Sequence, residues 1–205
     1  MAPLNSAPAS KMVEIRPYRP SDLDKLYDIC LATGDAGADA AHLYDDPRLL
    51  GHVYAAPYGV LAPDAAFVAE DEEGVGGYIL GARDTEAFED ACEARWWPAL
   101  RVRYPDVMAP ATYDERMRRL IHHPPHMPRR IADAYPAHLH IDLLPRLQGR
   151  GLGKRMLDVW REAVRMPAHL AVGNRNARAV RFYRAHGFHE IERFDAFDVI
   201  VFGIG

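Results

Sequence analysis

Apolar and polar residues alternate through 12–18 (MVEIRPY), the two-residue period of a strand. The period then lengthens. Leu23, Leu26, Tyr27 and Cys30 recur at helical spacing, Ser21 and Asp24 stand as a capping box with Pro20 just outside, and Gly34 marks the end. A looser helical pattern covers 38–56 and breaks at Pro47. The apolar runs 65–71 (AAFVAED) and 77–84 (GYILGARD) flank the turn EEGVG and predict a hairpin. Helical spacing returns over 86–104 through Phe88, Cys92, Trp96 and Leu100. Proline, arginine and histidine dominate 105–130, where one helix is predicted near 113–121. The rest reads as strand 137–144, helix 151–164, strand 169–173, helix 176–186, and a hairpin of 188–193 with 198–203. That order predicts a mixed α/β fold, with locally paired strands first and a strand–helix–strand–helix core last.

Composition narrows the setting. With 205 residues, 49% of them hydrophobic, the chain is long enough to bury a core as one domain with an insertion. Residues 1–11 read as a loose tail, 12–205 as the domain, and 86–130 as a helical insertion. A net charge of −4 argues against a general nucleic-acid binder, and no apolar run reaches the length of a membrane span. Cys30 and Cys92 read as buried free thiols, so a soluble, reducing, cytoplasmic setting is expected. The run HHPPH (122–126) suggests a metal, but its prolines deny a regular helix and no fourth ligand is evident; no metal is expected.

The chemistry concentrates at "LLPRLQGRGLGKR" (143–155), where Gly149, Gly151 and Gly153 separate a strand from a helix. Leu152, Met156, Val159, Trp160 and Ala163 share one face of that helix, which therefore packs on the sheet. Its first turn exposes N–H groups with no partner inside the helix, and bare glycines let an anion approach them. Neither the triphosphate loop nor the dinucleotide fingerprint fits. Gln148 and Arg155 stand where the first requires Gly and Ser or Thr, and the glycine spacing is wrong for the second. Asn176 and Tyr183 lie seven residues apart, two helical turns, with Ala179 between them on the same face.

Gln148-Gly149-Arg150-Gly151-Leu152-Gly153 resembles the Gln/Arg-x-x-Gly-x-Gly/Ala motif of the GNAT family of N-acetyltransferases, and "NARAVRFYRAHGF" (176–188) resembles that family's second conserved segment. The resemblance implies a mostly antiparallel sheet splayed at the fourth strand, with the insertion between the third and fourth strands. It implies acetyl-CoA as cosubstrate, its pyrophosphate on Gln148, Gly149, Arg150, Gly151, Leu152, Gly153 and Lys154, and its pantetheine arm paired with the backbone at Leu143 and Leu144. Asn176 and Tyr183 join the cofactor site, and Tyr183 protonates the departing sulfur. Arg150, Lys154, Arg178 and Arg181 are candidates for meeting its phosphates.

For the base, His138, His140 and Asp142 alternate on one strand face. Asp142 is nearest the reactive end by position, while His140 has the better unperturbed pKa near neutrality. Ala137 stands near the family's usual upstream base position. Asp35 and Asp39 are candidates for attracting a cationic amine, with Tyr78 and Trp97 lining its path. From about residue 14 to 203, insertion included, the chain is also similar to the acetyltransferase-like C-terminal domain of animal O-GlcNAcases. It keeps the glycine loop which that domain has largely lost, and carries Asn176 where that domain has an acid. Two functions are therefore expected: transfer of acetyl to an amine or protein lysine by direct attack, or silent binding of acetyl-CoA or a peptide. The sequence names neither the acceptor nor an oligomeric state.

Overall fold

The computed structural model describes residues 12–205; the expected tail, 1–11, lies outside the described residues. Seven strands make one sheet: β1 (Glu14–Pro17), β2 (Phe67–Asp71), β3 (Gly74–Ala82), β4 (Ala137–Leu143), β5 (Ala168–Gly173), β6 (His189–Phe194) and β7 (Val199–Ile204). Their order is β1-β2-β3-β4-β5-β7-β6, antiparallel throughout except for the β4–β5 pair. That pair is joined only at Ala137↔Ala168 and His138↔His169. Beyond it β4 stays with β3 and β5 stays with β7, so the sheet opens into a splay at its fourth strand.

Helices cover both faces. α1 (Leu23–Thr33), α2 (Leu49–Tyr54) and α3 (Ala56–Leu61) lie between β1 and β2 in the chain. α4 (Thr85–Arg95), α5 (Trp97–Arg103), α6 (Tyr113–His122) and α7 (Arg129–Ala134) form the insertion between β3 and β4. α8 (Leu152–Val164) joins β4 to β5, and α9 (Ala177–Ala185) joins β5 to β6. Strand alternation divides the core. Tyr78 and Leu80 of β3 pack with Leu26, Ile29, Leu49 and Ile121 on one face, and Ile79 packs with Leu139, Met156, Trp160, Leu170 and Phe202 on the other. Each such large side chain, fully buried, contributes about 1.5–3 kcal/mol.

Three local expectations change. No capping box forms at Ser21. Pro20–Asp22 makes a 3-10 turn instead, because Asp22 is buried against the Arg16 guanidinium (2.7 and 2.9 Å) and also accepts from the Arg19 N–H. The β2–β3 turn is tighter than EEGVG suggests: Asp71 pairs with Gly74, whose φ of +94° closes the chain around two residues. α7 was not anticipated; it starts where the Pro128 carbonyl accepts from Ile131 and Ala132. No helix among the described residues is long and apolar enough to cross a membrane.

Candidate active site

At the mouth of the splay the chain turns through Pro145–Leu147 and enters α8 at Leu152. Gly149 and Gly151 both have φ of +71°, a conformation that costs an L-residue about 1–2 kcal/mol. A side chain at either position would meet nothing within 4 Å, so the space before the loop is open. Gly153 differs. A Cβ there would sit 3.2 Å from the Phe182 ring, so its missing side chain makes room for α9 rather than for an anion. The first intrahelical bond runs from Arg155 N–H to Gly151. The N–H groups of Leu152, Gly153 and Lys154 therefore have no partner within α8, at the positive end of its dipole.

Gln148 staples this loop to the sheet. Its side chain donates to the Leu143 carbonyl at 2.6 Å and accepts from Arg178. Arg146 anchors it from below, donating to Asp71 (3.1 Å) and to the Gly74 carbonyl (3.0 Å). Sequence reasoning missed Arg146, whose partners lie more than seventy positions away. Lys154 pairs with Asp158 on the helix surface at 2.6 Å, and Arg150 is exposed.

The backbone of β4 offers the splay one edge. Leu144 N–H donates to Gly76 of β3, so in an antiparallel pair the even residues of β4 face β3. The odd residues turn their N–H and C=O away from β3; Leu139 still lies beside the last β5 pair, and past it those of Ile141 and Leu143 face the opening. This corrects the expectation for Leu144, whose N–H is held by Gly76 and whose C=O accepts from Leu147. Leu143 keeps only its N–H free, its carbonyl being held by Gln148. Asn176 is also committed. Its side chain caps α9 by accepting from Ala179 N–H at 3.0 Å, a role worth about 1 kcal/mol.

Side chains alternate in the opposite sense. Asp142 stands cross-strand from Tyr78, whose hydroxyl donates to it at 2.8 Å. Burial raises the Asp142 carboxyl to about 6, against hydrogen bonds from Tyr78 and Thr33 that pull it down. Cys30 lies beside Tyr78, its thiol pushed up to about 12 by burial and then by the Asp142 charge; it is not a nucleophile. Tyr183 is buried on α9, edge-on to Phe182 and Phe188, and its hydroxyl is raised above its ordinary range by burial and by the Asp142 charge. Asp142 and Tyr183, from opposite sides of the splay, thus act on each other electrostatically.

His138 is buried between Tyr58 and Thr85, and His140 bonds Tyr58. Burial lowers both imidazoles, His140 to about 4. The unperturbed order is inverted, and at neutral pH Asp142 is the stronger base. Tyr78, 1% exposed, and Trp97, in the helical core, line no open path. They were expected there because aromatic identity alone does not separate core from cleft. Asp35 and Asp39 are exposed turn residues: Asp35 exchanges backbone bonds with Ala38, and Asp39 accepts from Ala41 N–H. His122, His123 and His126 bond the Tyr104 carbonyl, Asp106 and Glu89, and no described group of three or more His, Cys, Asp or Glu is placed to hold a metal.

A family model described as an acetyltransferase (GNAT) domain matches residues 127–190, the stretch from α7 through β4, the loop, α8 and α9 to the start of β6. Protein O-GlcNAcases of Rattus norvegicus and Mus musculus are each 28% identical over 210 residues, covering 96% of this chain. The chain spans 22% of the length of those curated relatives. The crystal structure of SsHAT superposes with a TM-score of 0.85 at 39% identity, covering 94% of this chain and 97% of that one. An N-acetyltransferase from Staphylococcus aureus Mu50 shares the fold at 17% identity and a TM-score of 0.62, over 93% of this chain and all of its own.

Proposed function

This chain belongs to the GNAT acetyltransferase family, whose cosubstrate is acetyl-CoA, and from that premise we propose that it acetylates a primary amine, on a small molecule or a protein lysine, by direct attack. The observation that carries the reading is the splay. β4 and β5 part after two pairs of residues, and the gap has the glycine loop at its mouth and Asp142 and Tyr183 on its two sides.

The residues present fit the cosubstrate. The diphosphate lies on the free N–H groups of Leu152, Gly153 and Lys154, with Gly149 and Gly151 leaving the approach open and Gln148 holding Arg178 beside it. The pantetheine arm pairs with the odd edge of β4, at Ile141 and the Leu143 N–H. An N–H on that edge polarises the thioester carbonyl. Asp142, ionised above about pH 6, attracts a cationic amine and first takes one proton from it, freeing the lone pair with which nitrogen attacks the carbonyl carbon. The C–N bond forms, the C–S bond breaks, Tyr183 gives its proton to the sulfur, and the second proton shed by the nitrogen restores Tyr183. No enzyme nucleophile is needed, in keeping with two buried thiols.

The test is thiol release from acetyl-CoA with a panel of primary amines. The expected result is amine-dependent release that falls about a hundredfold in Tyr183→Phe. Stabilisation by acetyl-CoA with no release above background for any amine would instead make the chain a binding module.

A further inference from the structure

The polar face of β4 continues inward from Asp142 through His140 to His138, and the hydrogen bonds along it are forced into one direction. The Thr85 hydroxyl lies 2.7 Å from the Pro136 carbonyl and 2.9 Å from Nδ1 of His138. A carbonyl only accepts and a hydroxyl has one proton, so Thr85 donates to Pro136. Its oxygen can then only accept, which requires the proton of His138 to be on Nδ1. Burial keeps His138 neutral, leaving a lone pair on Nε2. The Tyr58 hydroxyl, 2.9 Å from that nitrogen, therefore donates to it. The Tyr58 oxygen in turn accepts from Nε2–H of His140 at 3.0 Å. His140, also neutral, is left with its lone pair on Nδ1.

Two further observations bear on what this does. Nδ1 of His140 is not among the buried unpaired atoms of the described residues, and His140 is only half-buried, on the strand face it shares with Asp142 two residues on. The chain also cannot conduct, because its last member is a carbonyl that takes no proton. It orients a lone pair rather than moving charge. The rings are held as well: Tyr58 stacks on Phe88 at 4.5 Å and meets both histidines edge-on.

We propose that His140 is a substrate-orienting residue, its Nδ1 lone pair accepting a hydrogen bond from the attacking amine while Asp142 removes the amine's proton, and that Tyr58, His138 and Thr85 are positioning residues that lock its tautomer. The proposal rests on the acetyl-transfer reading. A reversed tautomer at His140 would present an N–H to the incoming amine. It would also draw the Tyr58 proton away from His138 and leave a buried nitrogen unpaired.

Nitrogen-15 spectra of the whole protein labelled at histidine read the chain directly. The expected result is opposite tautomers on neighbouring histidines, Nδ1–H at His138 and Nε2–H at His140. Thr85→Val keeps the shape but removes the anchoring donor. It is expected to mix the His138 tautomers and raise KM for the amine about tenfold, the loss of one hydrogen bond, with acetyl-CoA affinity unchanged. Thr85→Ser restores both, and Tyr58→Phe repeats the KM effect by a second route. Equal tautomers in the wild-type protein, or a Thr85→Val variant with unaltered tautomers and KM, overturn the proposal. Absence of thiol release in the wild-type protein overturns it together with the acetyl-transfer reading; the tautomer spectrum tells that failure apart from failure of the chain alone.

Discussion

The two faces of β4 carry residues of opposite kind. Leu139, Ile141 and Leu143 pack toward α8 and α9 in a cluster with Met156, Trp160 and Phe202. His138, His140 and Asp142 face α1, α3 and α4, and Thr33, Tyr58 and Thr85 of those helices, with Tyr78 of β3, supply their hydroxyl partners. One strand thus separates a dry wall from a proton-handling wall, while its odd backbone groups open toward the splay. Among the described residues no Lys or Arg hydrogen-bonds Asp142, so burial dominates its raised pKa; in the proposed reaction the acceptor's amine is its cationic partner.

The sharpest way to break this contrast is Asp142→Asn. Thiol release should fall by about a thousandfold, the middle of the range for loss of a general base. Stability should move the other way. A carboxyl at about 6 in the folded chain, against about 3.9 unfolded, holds its proton longer in the native state. The native state therefore loses stability as pH rises from about 4 through about 6. Asp142→Asn should be more stable than wild type at pH 8, by on the order of 1 kcal/mol, and no more stable at pH 4. Urea unfolding at the two pH values checks the sign.

The glycines divide along the same line between ligand and core. Gly151→Ala should weaken acetyl-CoA binding about tenfold by straining the loop, at a backbone cost of about 1–2 kcal/mol. Gly153→Ala should cost about 1 kcal/mol of stability through the Phe182 contact, with a smaller effect on affinity. Calorimetry and thermal unfolding of the pair separate the roles.

The acid response is the most dispersed effect, spread over several residues. His52, His138, His140 and His169 are all lowered by burial, so the unfolded chain takes up their protons first. Stability present above about pH 6.5 is lost as pH falls below it, by up to about 1.4 kcal/mol per pH unit for each histidine in its window. Asp142 opposes this with the opposite sign. His140→Gln should make the stability–pH curve shallower between about 6.5 and 4; an unchanged slope would mean that His140 is not buried neutral.

What was legible in the sequence is what local periodicity encodes. The alternation of 137–144, the glycine run before α8 and the helical pattern of 176–186 reappear as β4, the loop and α9, with Asn176 just outside it as the cap. What was not legible depends on distant partners. Tyr58 lies 82 positions from His140, Thr85 53 from His138, and Tyr78 64 from Asp142. No spacing rule connects them. The inverted basicity of His140 and Asp142 was equally hidden, because it arises from desolvation and not from residue type. Asn176 was hard to read for a local reason: the cap that starts a helix and the polar group that meets a ligand are the same kind of side chain.

The most direct test of acetyl transfer in the splay is a crystal structure of the coenzyme A complex. The expected result has the diphosphate on the amides that begin α8 and the sulfur within hydrogen-bonding reach of the Tyr183 hydroxyl, with Asp142 on the facing side. A coenzyme bound elsewhere, or a sulfur remote from both residues, would contradict it.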